Sequence, residues 1–215
     1  MQPILFYTKL KEESWREKAL TFLLYTSWIL GFAAALVVFI IQYVPIGATL
    51  VEGLAGLKFV MILPVLLTLA FVFFLITFLI LGGIFTLVFF AMFSLVGIVL
   101  HYVYIFLSGK GEMNRMVQMM FYSSAAAQSI LLILALMILT KYTGLTFPLF
   151  RVGFNVVCYL TLLYFYGLWA IAGRKTYGIP KWKAFLGAVV PIILLLIFGV
   201  LFDKIALSHL QPWIT

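Results

Sequence analysis

Five long stretches without a charged side chain constrain the fold of this chain more than any other feature of its sequence. They are residues 19–51, 59–109, 116–140, 152–173 and 184–202. A helix needs about 20 apolar residues to cross the hydrocarbon of a bilayer. Only 9% of the chain is charged, where a soluble domain carries about 25%. Because the surface of a soluble fold must be largely polar, the sequence predicts an all-α polytopic transmembrane helical bundle.

The second stretch is too long for one upright crossing, since 51 residues of helix would reach about 76 Å. Gly82-Gly83 stands near its middle, and this pair predicts a turn between helices at about 59–81 and 84–107. With a Pro- and Gly-bearing loop at Tyr43–Gly56, the interpretation gives six membrane helices in a single domain covering 19–215. The other four helices are expected at about 19–42, 117–140, 152–173 and 184–202.

Lysines and arginines in the loops test the number of crossings. They number 4 in residues 1–18, 1 in 43–58, 2 in 108–116, 2 in 141–151, 4 in 174–183 and 1 after Phe202. Six crossings would put 7 on each side of the membrane, whereas five would put 10 or 11 on one side. The positive-inside rule therefore favours five, with 108–116 and 174–183 in the cytoplasm. The sequence leaves open whether the first helix or one arm of the hairpin fails to cross.

Residues 1–18 are expected to form an N-terminal segment at the membrane interface. Its apolar side chains would lie on the bilayer while its basic side chains meet anionic headgroups, and a plain solvated lead-in is the alternative. These apolar side chains are Leu5, Phe6, Leu10 and Trp15. The uncharged stretch that follows is longer than the apolar core of a cleavable signal, which has about 7–15 residues. We therefore expect it to remain as a membrane helix.

Polar side chains inside the predicted helices are few, and none belongs to a catalytic or metal-binding motif. The sequence has no phosphate loop, no HExxH and no Ser/His/Asp set, which predicts a non-enzymatic protein without a cofactor or metal. His101 is the one titratable candidate, and a place in an aromatic belt beside Tyr102 is the alternative to a proton role. Gln128 and Asn155 are the amides expected to hydrogen-bond between helices. Together with His101 they are the candidates for a polar pathway.

The basic and aromatic loop at 174–183 is the most distinctive polar element. Its role is either to set the orientation in the membrane or to bind anionic headgroups or an acidic partner. The net charge of +8 could suggest nucleic acid, but the 14 basic residues lie between apolar blocks, so lipid is the expected partner. The four candidate contact residues are Arg174, Lys175, Lys181 and Lys183.

Between Leu100 and Gly199 several short motifs follow one another in a recognisable order. They are His101-Tyr102, Ser108-Gly109-Lys110-Gly111, Tyr122-Ser123-Ser124-Ala125, Leu168–Gly173, Tyr177-Gly178-Ile179-Pro180 and Pro191. This order resembles the Yip family, membrane proteins named for interacting with Ypt/Rab GTPases, in its bacterial and archaeal branch. The resemblance implies a five-helix membrane core with a cytoplasmic N-terminal side and an external C-terminus. It also implies the cytoplasmic membrane of a prokaryote.

Two positions depart from the family pattern. Gly109-Lys110-Gly111 stands where a Gly-Gly pair is usual, and Ala126-Ala127-Gln128 stands where a proline is common. For eukaryotic members the family implies roles in vesicle traffic and membrane shaping. For prokaryotic members it implies little that is specific.

Three functions remain open from the sequence. The leading one is a membrane-organising or scaffold protein of the Yip type that acts on lipids or on a peripheral partner. The second is a channel or transporter for an ion or small solute, with a pathway lined by Thr, Ser, Asn and Gln side chains. The third is an accessory subunit or oligomerisation module whose 22 phenylalanines pack against another membrane protein.

Overall fold

The computed structural model describes Tyr7, Trp15, residues 17–52 and residues 56–214. Within these residues the chain is helical and has no β-strand, and five helices are long and apolar enough to cross a membrane. The predicted all-α membrane bundle is therefore confirmed. In chain order, the first to fifth spans are Lys18–Val51, Leu57–Phe106, Met113–Thr143, Phe147–Tyr177 and Lys181–Ile205.

The second span is one continuous α-helix of 50 residues, so the hairpin predicted at Gly82-Gly83 is wrong. A helix tolerates an internal glycine at a cost of about 1 kcal/mol, and here the missing side chain serves packing. A Cβ on Gly82 would lie 2.8 Å from the Trp28 ring, and a Cβ on Gly31 would lie 2.6 Å from Gly82 Cα. Gly82 therefore lies at a close approach of the first two spans, whereas a Cβ on Gly83 would meet nothing within 4 Å. With five spans, 10 of the basic residues lie on one side of the membrane and 4 on the other, which is the kind of asymmetry that the positive-inside rule favours.

The first span changes its helical geometry before it ends. It consists of an α-helix at Lys18–Val38, a π-helical turn at Phe39–Tyr43 and a second α-helix at Val44–Val51. Pro45 lies in the first turn of that second helix, where its missing N–H costs little. The loop predicted at Tyr43–Gly56 is therefore wrong over most of its length.

The three later spans extend beyond the charge-free stretches that predicted them. Helical hydrogen bonding continues into the membrane interface, where charged residues such as Arg151 and Lys175 are tolerated. The third span also contains a 3-10 stretch in its middle. Its parts are α-helix Met113–Ser123, 3-10 helix Ser124–Ser129 and α-helix Ile130–Thr143, and after the fifth span come 3-10 helix Leu207–Leu210 and helix Gln211–Ile214.

The packed body of the protein involves only half of the second span. All seven buried residues of that span, which the structure describes in full, lie at Gly82 or after it. Residues 57–81 and Val44–Val51 contain no buried residue. We call these two segments the apolar arm. The remainder of the five spans forms the body, whose largest fully buried side chains are Trp169, Tyr104, Phe93, Phe121 and Phe150.

Two N-terminal residues are described, and both pack against the body. Tyr7 is buried in the main apolar cluster. The Trp15 ring lies edge-on to Phe121 at 5.4 Å and close to Phe90 at 6.2 Å. Trp15 therefore faces the bundle, where the sequence had placed it on the bilayer. The rest of the interfacial segment predicted at 1–18 lies almost entirely outside the described residues.

Candidate functional site

At one end of the bundle, the loop after the second span packs tightly against the loop between the fourth and fifth spans. A Cβ on Gly109 would lie 2.8 Å from Tyr177 Cβ, and a Cβ on Gly111 would lie 2.6 Å from the Thr176 carbonyl oxygen. The Lys110 backbone N–H donates to the Tyr177 carbonyl oxygen at 3.2 Å. Any side chain at either glycine would push the two loops apart. Residues 107–112 and 174–183 thus form one platform, which we call the basic end.

The Tyr104 side chain holds the basic end in place through contacts with two other spans. Its hydroxyl donates to the carbonyl oxygens of Ala184 at 3.0 Å and Trp169 at 3.2 Å. Its ring fits between two glycines, because a Cβ on Gly173 or on Gly187 would lie 2.2 or 2.3 Å from a ring carbon. One side chain therefore joins the second, fourth and fifth spans. Sequence reasoning missed this residue, since the two glycines that make room for it lie on other helices.

His101 is tied to the basic end through Tyr177. Its Nδ1 shares a hydrogen bond with the Tyr177 hydroxyl at 2.5 Å, and its ring lies 5.4 Å from that of Tyr102. The imidazole thereby connects the second span to the end of the fourth. This hydrogen bond explains the presence of a half-buried histidine near the membrane interface. A role in proton transport is not needed to explain it.

Three of the four predicted contact cations face outward. Arg174, Lys175 and Lys181 are exposed, and the Trp182 indole beside them is 64% exposed. Residues 107–112 and 174–183 contain five cations and a single carboxylate, that of Glu112. The basic end is therefore electropositive and carries an exposed aromatic ring.

Lys183 is placed differently from the other three. Its ammonium donates to the Leu107 carbonyl oxygen at 3.1 Å and lies 5.7 Å from the centroid of the Trp182 ring. Leu107 ends the second span, so the cation meets the negative end of that helix dipole. Lys183 both caps a helix and adds charge to the platform.

Gln128 lies in the 3-10 stretch of the third span and bonds to the first span. Its Nε2 donates to the Thr26 carbonyl oxygen at 2.9 Å. The Thr26 hydroxyl in turn lies 2.9 Å from the Ser124 hydroxyl. The Gln128 Oε1 atom is buried and has no hydrogen-bond partner within the described part of the chain. As the sequence predicted, this amide bonds across helices.

Asn155 lies toward the opposite end of the bundle, in a cluster with two charged residues. The Arg151 Nε donates to Asp203 Oδ1 at 2.7 Å, a second contact joins Nη2 to Oδ2, and Asn155 lines the same small cavity as Asp203. This cluster connects the fourth and fifth spans. Neither Arg151 nor Asp203 is among the residues predicted from the sequence, although opposite charges at the adjoining ends of consecutive spans are a usable signal.

The structure does not bring the three candidate pathway residues together. His101 bonds to Tyr177 at the basic end, Gln128 bonds to the first span, and Asn155 lies with Asp203 toward the far end. Within the described residues there is also no group of three His, Cys, Asp or Glu side chains placed to hold a metal ion. The one convergence of sequence-selected residues is at the basic end.

Comparisons with family models, with curated proteins and with solved structures find no match to this chain. The fold and the site therefore define a class only: an α-helical integral membrane protein with five candidate spans and a basic end. The resemblance to the Yip family remains a prediction. Several motifs that suggested it, among them His101, Gly109 and Tyr177, meet at the basic end.

Proposed function

We propose that this chain is a non-enzymatic, membrane-organising protein of the scaffold type, and that its basic end binds anionic lipid headgroups. The observation that carries the proposal is the exposed set of Arg174, Lys175 and Lys181 around the exposed Trp182. A cation near an anionic membrane surface contributes about 1 kcal/mol to lipid attraction. Tryptophan prefers the headgroup level of a bilayer. This combination of side chains suits a lipid surface.

The way the platform is held supports a scaffold role. The loop contacts at Gly109 and Gly111, together with the Tyr104 and His101 hydrogen bonds, fix the helix ends that carry the cations. A fixed array of cations imposes a spacing on the lipids or on a peripheral protein that binds it. The Yip-type resemblance favours the same role, with the basic end in the cytoplasm of a prokaryote.

The alternative of a channel or transporter receives less support. A pathway needs polar groups in a continuous line, and the three candidates lie apart from one another with different neighbours. The body also contains fully buried aromatic side chains such as Trp169 and Phe93. We expect vesicles containing the protein to release ions and small solutes no faster than protein-free vesicles. Selective, saturable flux would overturn the scaffold proposal.

The lipid proposal is tested in proteoliposomes containing spin-labelled phosphatidylglycerol or spin-labelled phosphatidylcholine. We expect the wild-type protein to restrain more of the anionic lipid, and we expect high salt to weaken this preference because exposed charges are screened. The triple variant Arg174→Gln, Lys175→Gln, Lys181→Gln should lose most of the preference.

A matched control removes three cations from the other side of the bundle, through Lys58→Gln, Lys141→Gln and Lys204→Gln. It should keep the preference for phosphatidylglycerol, since the basic end is intact. Equal lipid selectivity in the wild type and in the Arg174, Lys175 and Lys181 variant would reject the proposal.

A further inference from the structure

An apolar groove runs down the outside of the bundle between the second and fifth spans, directly below the basic end. Its volume is about 620 Å³. Phe106 and Leu186 stand on its two sides with 89% and 53% of their surfaces exposed. Gly187 forms part of the groove floor, and its missing side chain makes room for the buried Tyr104 ring behind it. The lining residues are Tyr102, Val103, Phe106, Leu107, Leu186, Gly187, Val189 and Val190.

A cation and an indole stand at the head of this groove. Lys183 bonds to the carbonyl oxygen of Leu107, which is itself a lining residue. Gly187 lies four residues after Lys183, and Leu186 lies four residues after Trp182, so each pair shares a helix face. An ammonium has three N–H donors, and the Leu107 carbonyl takes one of them. The others remain able to bind a phosphate oxygen.

The groove has an apolar part and a charged part, and together they match one kind of ligand. Its walls are almost entirely apolar, and its upper end offers positive charge and an interfacial aromatic ring. A lipid with an acyl chain and an anionic headgroup matches both parts, because basic pockets between membrane helices suit such headgroups. We propose that this groove is a binding site for one anionic phospholipid, with an acyl chain along the groove and the phosphate at Lys183.

This inference rests on the proposed function and narrows it from a charged surface to a single site. The two are separable because they use different residues. The surface depends on Arg174, Lys175 and Lys181, whereas the site depends on Lys183 and on the open groove. A surface attracts many lipids weakly, but a site of this kind holds one lipid and becomes saturated.

The test is native mass spectrometry of the purified full chain, titrated with phosphatidylglycerol and, separately, with phosphatidylcholine. We expect one phosphatidylglycerol to bind at least tenfold more tightly than phosphatidylcholine. Val190→Trp should fill the groove and weaken that binding at least tenfold. Ile197→Trp places the same ring two turns further along the fifth span, at a position 53% exposed, and should leave it unchanged.

A second variant keeps the groove open and removes only the charge. Lys183→Gln can still donate to the Leu107 carbonyl, and we expect it to reduce the preference for phosphatidylglycerol over phosphatidylcholine. The triple variant at Arg174, Lys175 and Lys181 should retain the single bound lipid while losing the surface preference. Equal binding of the two lipids, equal effects of Val190→Trp and Ile197→Trp, or a second protein copy in place of lipid would overturn the site.

Discussion

The body and the apolar arm share one continuous helix, yet they are held together in different ways. In the body, the second span buries seven residues and anchors Tyr104 on two other spans. In the arm, the same span contacts the first span mainly through aromatic rings, such as Phe74 against Phe32 and Phe39 at 5.7 and 5.9 Å. Lipid is as apolar as these rings, so hydrophobicity alone does not drive helices together in a membrane. Close packing around glycines and buried hydrogen bonds distinguish the body.

The largest expected effect comes from closing the space around Tyr104. Gly173→Ala would place a methyl group 2.2 Å from that ring, which Gly187 confines on its other side. Because overpacking of a confined site costs about 1–3 kcal/mol, we expect a loss of about 3 kcal/mol in the free energy of unfolding. Titration with sodium dodecyl sulfate of the protein in mild detergent measures it. Gly167→Ala on the same helix meets nothing within 4 Å and should be neutral or slightly stabilising.

A smaller effect is expected where the arm joins the body. A Cβ on Gly31 would meet Gly82 backbone atoms at 2.6 and 2.8 Å, so Gly31→Ala must separate the first two spans. We expect a loss of about 2 kcal/mol in the same titration. Gly47→Ala within the arm has open space around it and serves as the control. If both glycines tolerated alanine equally well, the junction would not depend on close contact.

The smallest expected effect on the free energy of unfolding comes from removing single hydroxyl groups that form hydrogen bonds. Tyr104→Phe removes the donor to Trp169 and Ala184 while keeping the ring, and we expect a loss of about 1 kcal/mol. Tyr43→Phe, next to the arm, removes a hydroxyl that lies 3.4 Å from Thr77 of the arm, a long contact, and should change stability by less than about 0.5 kcal/mol. Equal shifts in the unfolding midpoint of these two variants would contradict the distinction between body and arm.

The sequence predicts the membrane class well because charge-free length is a local property. Each of the five uncharged stretches lies largely within one span. The sequence fails to predict the helix at Gly82-Gly83 and at Pro45, because both residue types break helices in water. Here Gly82 makes room for the Trp28 ring, and Pro45 lies in a first helical turn. Interhelical contact decides such cases, and no local pattern records which glycine faces which helix.

Some residues of the candidate site could likewise be predicted from the sequence, and others could not. The exposed cations Arg174, Lys175 and Lys181 could be found from the sequence, because charge beside an apolar stretch marks a membrane boundary. The cap that Lys183 forms on Leu107 joins residues 76 positions apart in the chain. Tyr104 is likewise buried where glycines of two other spans make room for its ring. Contacts of this range depend on the assembled bundle.

The 50-residue helix also determines how the protein meets its bilayer. A rod of about 75 Å fits within 30 Å of hydrocarbon only when inclined about 66° from the normal, far beyond the usual tilt of about 20°. Otherwise the surrounding lipid must thicken around it. Either response strains the neighbouring bilayer. We therefore expect hydrophobic mismatch to give this chain a preference for thick or already deformed membrane. In vesicles with a single headgroup type, the protein should still collect in the thicker regions of bilayer.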